Sequence, residues 1–130
     1  MEQIVRPALA AGKTVVLDRY ILSTVVYQGH AGQLDPDDIR TVNRIATQGL
    51  LPDITCVLDL PVDLAMKRLG ESLDRMESRG AGYFEKVRSG FLHEIESDDS
   101  GTVHAIDADR SIDEMQVHVR QLVADAFGRR

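Results

Sequence analysis

Val15-Val16-Leu17-Asp18-Arg19-Tyr20 runs from three apolar, mostly β-branched residues straight into an acid, a base and an aromatic ring. An apolar run without alternation reads as a strand covered on both faces, the parallel-sheet type. In open parallel sheets, ligands sit beyond the carboxyl ends of the strands. That puts Asp18 and Arg19 at the mouth of a site. A carboxylate there can hold Mg²⁺ directly or through water. A guanidinium there can take two phosphate oxygens at once. The same dipeptide also fits a surface ion pair at a strand end, and the two residues alone leave both readings open.

Working outward, the first predicted strand spans about Thr14 to Asp18. Before it, Met1 to Ala11 reads as the end of a helix, with Ile4, Val5, Ala8 and Leu9 on one face and Gly12 as a left-handed stop. After it, a short helix is predicted over Leu22 to Gln28, and Gly29 and Gly32 open a loop. Asp35-Pro36 starts the next helix, a capping acid followed by proline at the first helical position. Its apolar stripe is Ile39, Val42, Ile45 and Ala46, and Gly49 ends it. The second predicted strand is Ile54 to Asp59. A helix from Pro61 carries Leu64, Ala65, Arg68 and Leu69 at helical spacing. Gly70 to Gly82 is rich in glycine, serine and charge, the composition of a mobile lid. Tyr83 to Ile95 is helical, with Phe84, Val87, Phe91 and Ile95 on a face. Glu96 to Gly101 is an acidic turn. The third strand is Val103 to Ile106, ending in Asp107. Ser111 and Glu114 form a capping box for a last helix, whose stripe is Ile112, Met115, Val119, Leu122 and Ala126. Strands alternating with helices give an α/β fold, a parallel sheet with flanking helices in a single domain over residues 1–130.

Composition narrows the function. Acids outnumber Lys and Arg 21 to 15, for a formal net charge of −6. That argues against nucleic-acid binding, which needs a basic footprint. The one cysteine, Cys56, sits in an apolar run and reads as a small buried hydrophobe. Neither a signal peptide nor an apolar stretch of spanning length occurs, so no membrane association is expected and the location expected is cytoplasmic. His30, His93, His104 and His118 lack ligand spacing and read as incidental.

The run from Asp18 to Gly29, Asp-Arg-aromatic and then Ser-x-x-x-Tyr-Gln-Gly, resembles a segment of bacterial thymidylate kinases. Leu50-Leu51-Pro52-Asp53-Ile54 and the strand after it resemble that family's Pro-Asp segment. Leu73-Asp74-Arg75-Met76-Glu77, then Tyr83-Phe84-Glu85-Lys86-Val87-Arg88, resemble its lid and following helix. The three segments come in the family's order, and the resemblance covers about Met1 to Phe127. It implies a P-loop nucleoside monophosphate kinase-like fold, N-terminally truncated. The reaction implied is phosphorylation of dTMP to dTDP by ATP with Mg²⁺, by a possible homodimer.

Residue by residue, the resemblance implies that Arg19 touches the acceptor phosphate and that Asp18 supports it and the Mg²⁺. It implies that Ser23 and Thr24 lie near thymine and Tyr27 beside the deoxyribose. Gln28 offers both donor and acceptor to a pyrimidine edge. For Tyr27 and Ser23 the alternatives are helix packing and a local cap. Arg75 in the lid would cover the transferring phosphates, and Asp107 with Ala108 would border adenine.

The phosphate cradle, Gly-x-x-x-x-Gly-Lys-Ser/Thr, is missing. Gly12-Lys13-Thr14 mimics its end, but position 7 is Pro7 and the triplet follows a helix and precedes a strand, the reverse of a working cradle. The resemblance puts the cradle on a strand upstream of Met1. The alternatives are a non-catalytic remnant or interaction module, or a gene model cut short.

Overall fold

A computed structural model of the chain describes residues 1–69 and 80–128. Two of the three predicted strands pair. β1 (Thr55–Asp59) and β2 (Val103–Asp107) run parallel, with Thr55 opposite Val103 and Asp59 opposite Asp107. The chain between them includes α4 (Val62–Leu69) and α5 (Ala81–Glu96). α6 (Ile112–Gly128) follows β2. α5 and α6 both pack against β2, and Val57, Ile106, Val62 and Val87 are buried. The α/β architecture with a parallel sheet and flanking helices therefore holds.

The predicted first strand does not form. Residues 13–17 carry no strand pairing, and Val16 is 89% and Leu17 45% exposed. A strand exists only where a neighbour takes its amides and carbonyls. Among the described residues the sheet has two strands, and neither pairs with this segment. The missing cover also corrects Cys56. It is exposed, because the β1 face that carries it and Leu58 is open. Partial burial still pushes its thiol pKa up, away from the reactive thiolate.

α1 (Val5–Ala10) is short, and Gly12 ends it at φ 71°. Pro7 falls in its first turn, where amides have no helical acceptor. The predicted helix over Leu22 to Gln28 begins as α2 (Ile21–Thr24) and continues as a π-helix, Val25–His30. The Ala31 amide donates to the Val26 carbonyl at 2.9 Å, five residues back. Val25, Val26 and Gly29 are buried there.

α3 (Pro36–Thr47) starts as predicted: the Asp35 carboxylate accepts from the Asp37 amide at 2.8 Å. Its inner face is Ile39, Asn43 and Thr47, not the expected stripe. Val42 and Ile45 stay 61% and 72% exposed. Thr47 can be buried because its hydroxyl donates to the Asn43 carbonyl at 2.8 Å, which satisfies it without leaving the helix. The capping box of α6 also forms, with the Ser111 amide donating to Glu114 at 3.0 Å. Ile112 is exposed, while Met115, Val119, Leu122 and Ala126 are half-buried. Of the expected lid, residues 70–79 lie outside the described residues, and Ala81 and Gly82 belong to α5.

α5 approaches the π-helix closely at Gly90. A Cβ on residue 90 would stand 2.7 Å from His30 Cβ and 3.1 Å from Val26 Cγ1. Helix propensity alone predicts that Gly90→Ala stabilises by about 1 kcal/mol. Overpacking predicts a loss of about 1–3 kcal/mol, and the backbone-near clash should win. Urea denaturation checks the sign.

The acidic turn is organised by Asp98, which accepts from the Thr102 and Val103 amides at 2.8 Å each. Hydrogen bonds from Ser100 and Val103 hold its pKa down at about 2. The folded state thus prefers the carboxylate. This contribution is present above the unfolded pKa near 3.8 and is lost as pH falls toward about 2. Asp98→Ala is expected to lower the melting temperature by roughly 3–5 °C at neutral pH. The difference from wild type should shrink between pH 4 and about 2, read by thermal melts across pH.

Candidate active site

Residues 18–20 leave the irregular segment in a bend, and Tyr20 anchors it by donating its hydroxyl to the Leu50 carbonyl at 3.1 Å. Arg19 adopts φ 66°. The left-handed region costs a residue with a Cβ roughly 1–2 kcal/mol, and such strain clusters at functional sites. The strained turn sets the Arg19 guanidinium carbon 5.2 Å from the centre of the Tyr27 ring. A cation over an exposed aromatic face gains about 0.5–1 kcal/mol, which offsets part of the strain.

Tyr27 projects from the π-helix into an aromatic wall built by α5. Its ring centre lies 6.5 Å from that of Tyr83 and 6.2 Å from that of Phe91, the latter edge-on. Ser23 and Thr24 are half-buried on α2, and Gln28 is exposed one position past Tyr27. Asp18 is exposed, and among the described residues no ion pair involves it. The simple Asp18–Arg19 surface pair is therefore not formed. Arg19 turns instead to the aromatic ring, and among the described residues no hydrogen bond engages its N–H groups.

The carboxyl ends of β1 and β2 build a second region. A cavity of about 730 Å³ is lined by Asp59, Arg88, Asp107, Arg110, Glu114 and His118, among others. Arg88 on α5 forks onto Asp59, donating from Nε and a terminal nitrogen at 2.8 and 2.9 Å. The Asp59 partner raises the Arg88 pKa, and two parallel bonds fix the plane of the guanidinium. Arg110 donates to Asp107 at 2.9 Å and holds that carboxyl below its usual range. Ala108 is buried: its amide donates to the Asp59 carbonyl and its own carbonyl accepts from Arg68, each at 2.9 Å. The loop after β2 is thus tied to both β1 and α4.

Asp107 lines this cavity, whereas Arg19 and Tyr27 do not. The predicted residues therefore fall into two groups, one before α2 and along the π-helix, the other at the strand ends. Arg75 lies outside the described residues. The Asp59–Arg88 pair was not singled out from sequence. Its signal was the same as for Asp18: an acid closing an apolar strand, here one that does form.

Gly12-Lys13-Thr14 follows α1 and runs into an irregular segment. No helix opens directly after it to aim amides at phosphates, in keeping with its rejection as a cradle.

The geometry can be set beside known proteins. The family model described as thymidylate kinase matches residues 1–119. A thymidylate kinase of Rhodopirellula baltica is 44% identical over 115 residues, covering 88% of this chain and 46% of that protein. One from Sulfurihydrogenibium sp. is 38% identical over 130 residues, and one from Symbiobacterium thermophilum 39% over 131. Each of the latter two alignments covers 100% of this chain and 61% of the relative. The chain thus spans about half to three fifths of the length of these curated relatives. The matched region contains both groups of site residues, those around Arg19 and those at the strand ends, and the chain belongs to the thymidylate kinase family.

Proposed function

We propose that this chain forms the acceptor-nucleotide side of a dTMP kinase site, with dTMP and ATP as its ligands. The observation that carries the reading is the strained Arg19 held over Tyr27. Arg19 takes the phosphate of dTMP. Tyr27 lies beside the deoxyribose, where a ring crowds out a 2′-hydroxyl. Ser23 and Thr24 border the thymine, and Gln28 meets its edge with a donor and an acceptor. The reaction is transfer of the γ-phosphoryl of ATP, and the work assigned to these residues is position and charge. Asp107 and Ala108 border the adenine. Arg75 is the cation assigned to cover the transferring phosphates.

Asp18 fits Mg²⁺ by donor chemistry. Mg²⁺ keeps several waters and takes one or two carboxylates beside substrate phosphates, and Asp18 is an exposed carboxylate without an ion-pair partner among the described residues. The ion, when bound, neutralises phosphate charge; Asp18 orients it. A homodimer through the outer face of α3 completes the proposal, supported by the exposed Val42 and Ile45.

A second reading, a non-catalytic binding module, draws on the two-stranded sheet and the exposed Val16 and Leu17. The 130 residues contain no cradle sequence, so this chain by itself is expected to bind dTMP without turning over ATP. A coupled assay with ATP, Mg²⁺ and dTMP checks this. Brisk turnover that disappears in Arg19→Ala would contradict it.

Calorimetric titration tests the phosphate contact. dTMP is expected to bind about tenfold or more tighter than thymidine, the scale of a charged hydrogen bond. Arg19→Ala should bring the two together. Equal affinities in the wild type would refute the role of Arg19. Arg19→Gly separates strain from function: it should melt above Arg19→Ala, because only glycine adopts this φ freely, yet discriminate no better.

A further inference from the structure

His30, His93 and Glu94 lie far from any ligand spacing in the sequence, but the fold brings them together. Their donor atoms all stand within 4.8 Å of one another. The His30 and His93 rings face edge to face-on with centres 5.1 Å apart. His30 Nε2 and Glu94 Oε1 are 2.6 Å apart. Two of the four histidines read from sequence as incidental thus stand beside each other and beside Glu94. The reason is the π-helix: its widened turn ends at His30, and Gly90 lets that residue close on α5. π-helical turns are rare and occur often at functional sites.

We propose that His30, His93 and Glu94 form a binding site for a borderline transition-metal ion such as Zn²⁺, separate from the Asp18 region and independent of the dTMP reading. Two imidazoles and one carboxylate are a donor set that zinc takes with one position left open. They do not suit Mg²⁺, which wants oxygen at near-octahedral geometry. Access for the ion is from the side of His93, which is exposed, and a groove of about 300 Å³ borders His30. Glu94 is mostly buried, so its carboxylate is already desolvated in the fold and attracts a neighbouring cation through little intervening water.

Two contacts already occupy Glu94. His30 and Arg40 both donate to the same oxygen, Oε1, and among the described residues no hydrogen bond falls on Oε2. Ligands of a tetrahedral zinc stand roughly 3.3 Å apart, wider than the His30–Glu94 hydrogen bond. An ion therefore replaces that hydrogen bond, and the proton on Nε2 moves to Nδ1 or to solvent. Arg40 stays on the carboxylate as its outer partner. The bound ion bridges the π-helix to α5, and so braces the helix that carries Tyr27 and Gln28.

Co²⁺ and Zn²⁺ titrations of the tag-free 130-residue chain test this. Co²⁺ is expected to give the intense visible bands of a four- or five-coordinate site at one equivalent, displaced by Zn²⁺ and untouched by excess Mg²⁺. Zn²⁺ should also raise the melting temperature with concentration. His93 is exposed, so His93→Ala tests the ligand without disturbing the core, and Glu94→Gln removes the anionic donor at nearly constant shape. Each should weaken Zn²⁺ by more than the roughly 10–100-fold that loss of an outer partner costs, with unchanged circular dichroism. Zn²⁺ binding equal in wild type and His93→Ala, or only the weak octahedral Co²⁺ spectrum, overturns the site.

Discussion

The close seat of the π-helix on α5 at Gly90 is the contact on which most of the chemistry depends. No side chain fits there, since a Cβ would meet His30 and Val26 at 2.7 and 3.1 Å. Because the two backbones approach, Val26 is fully buried and Tyr27 reaches Tyr83 and Phe91. The same α5 buries Val87 one turn back and turns Arg88 onto Asp59. One helix thus holds the aromatic wall, the strand-end ion pair and the histidine cluster on successive faces. A shift of α5 would move all three at once.

Local signals that close within a few residues were readable from sequence. The Asp35 cap, the Ser111–Glu114 box and the stop at Gly12 need only their own neighbours, and all three form. β1 and β2 were readable as well, because each finds the other as its parallel partner and α5 and α6 pack against β2. Val15 to Asp18 carries the same apolar signal and fails, since a strand requires a partner that lies elsewhere in the fold. The α3 stripe fails for a related reason. Hydrophobicity ranked Val42 and Ile45 above Thr47, but Thr47 satisfies its hydroxyl within the helix and takes the buried position.

The site divides along the same line. Arg19 and Tyr27 are eight residues apart, and the family pattern joined them before the structure did. Their contact, 5.2 Å from cation to ring centre, is local enough to be encoded in one segment. Asp59 with Arg88, and His30 with Glu94, join residues 29 and 64 positions apart. Nothing in either partner's own neighbourhood announces the other. Histidine spacing along the chain does not show the His30–His93–Glu94 cluster, because its members come from the π-helix and α5.

In a chain of net charge −6, the cations differ in what already holds them. Several cations are already committed: Arg88 to Asp59, Arg110 to Asp107, Arg40 to Glu94 and Lys67 to Asp63. A guanidinium locked in two parallel bonds to a carboxylate has fewer donors left for a ligand. Arg19 differs in that its partner is a ring face, which attracts the cation without occupying its N–H groups. The φ of 66° is a cost that this contact offsets in part. An arginine held by a π-surface is positioned at little cost to its hydrogen-bonding capacity. That separation of holding from binding is the physical basis of the phosphate contact proposed for Arg19, in contrast to Arg88 and Arg110, whose carboxylate partners engage their N–H groups.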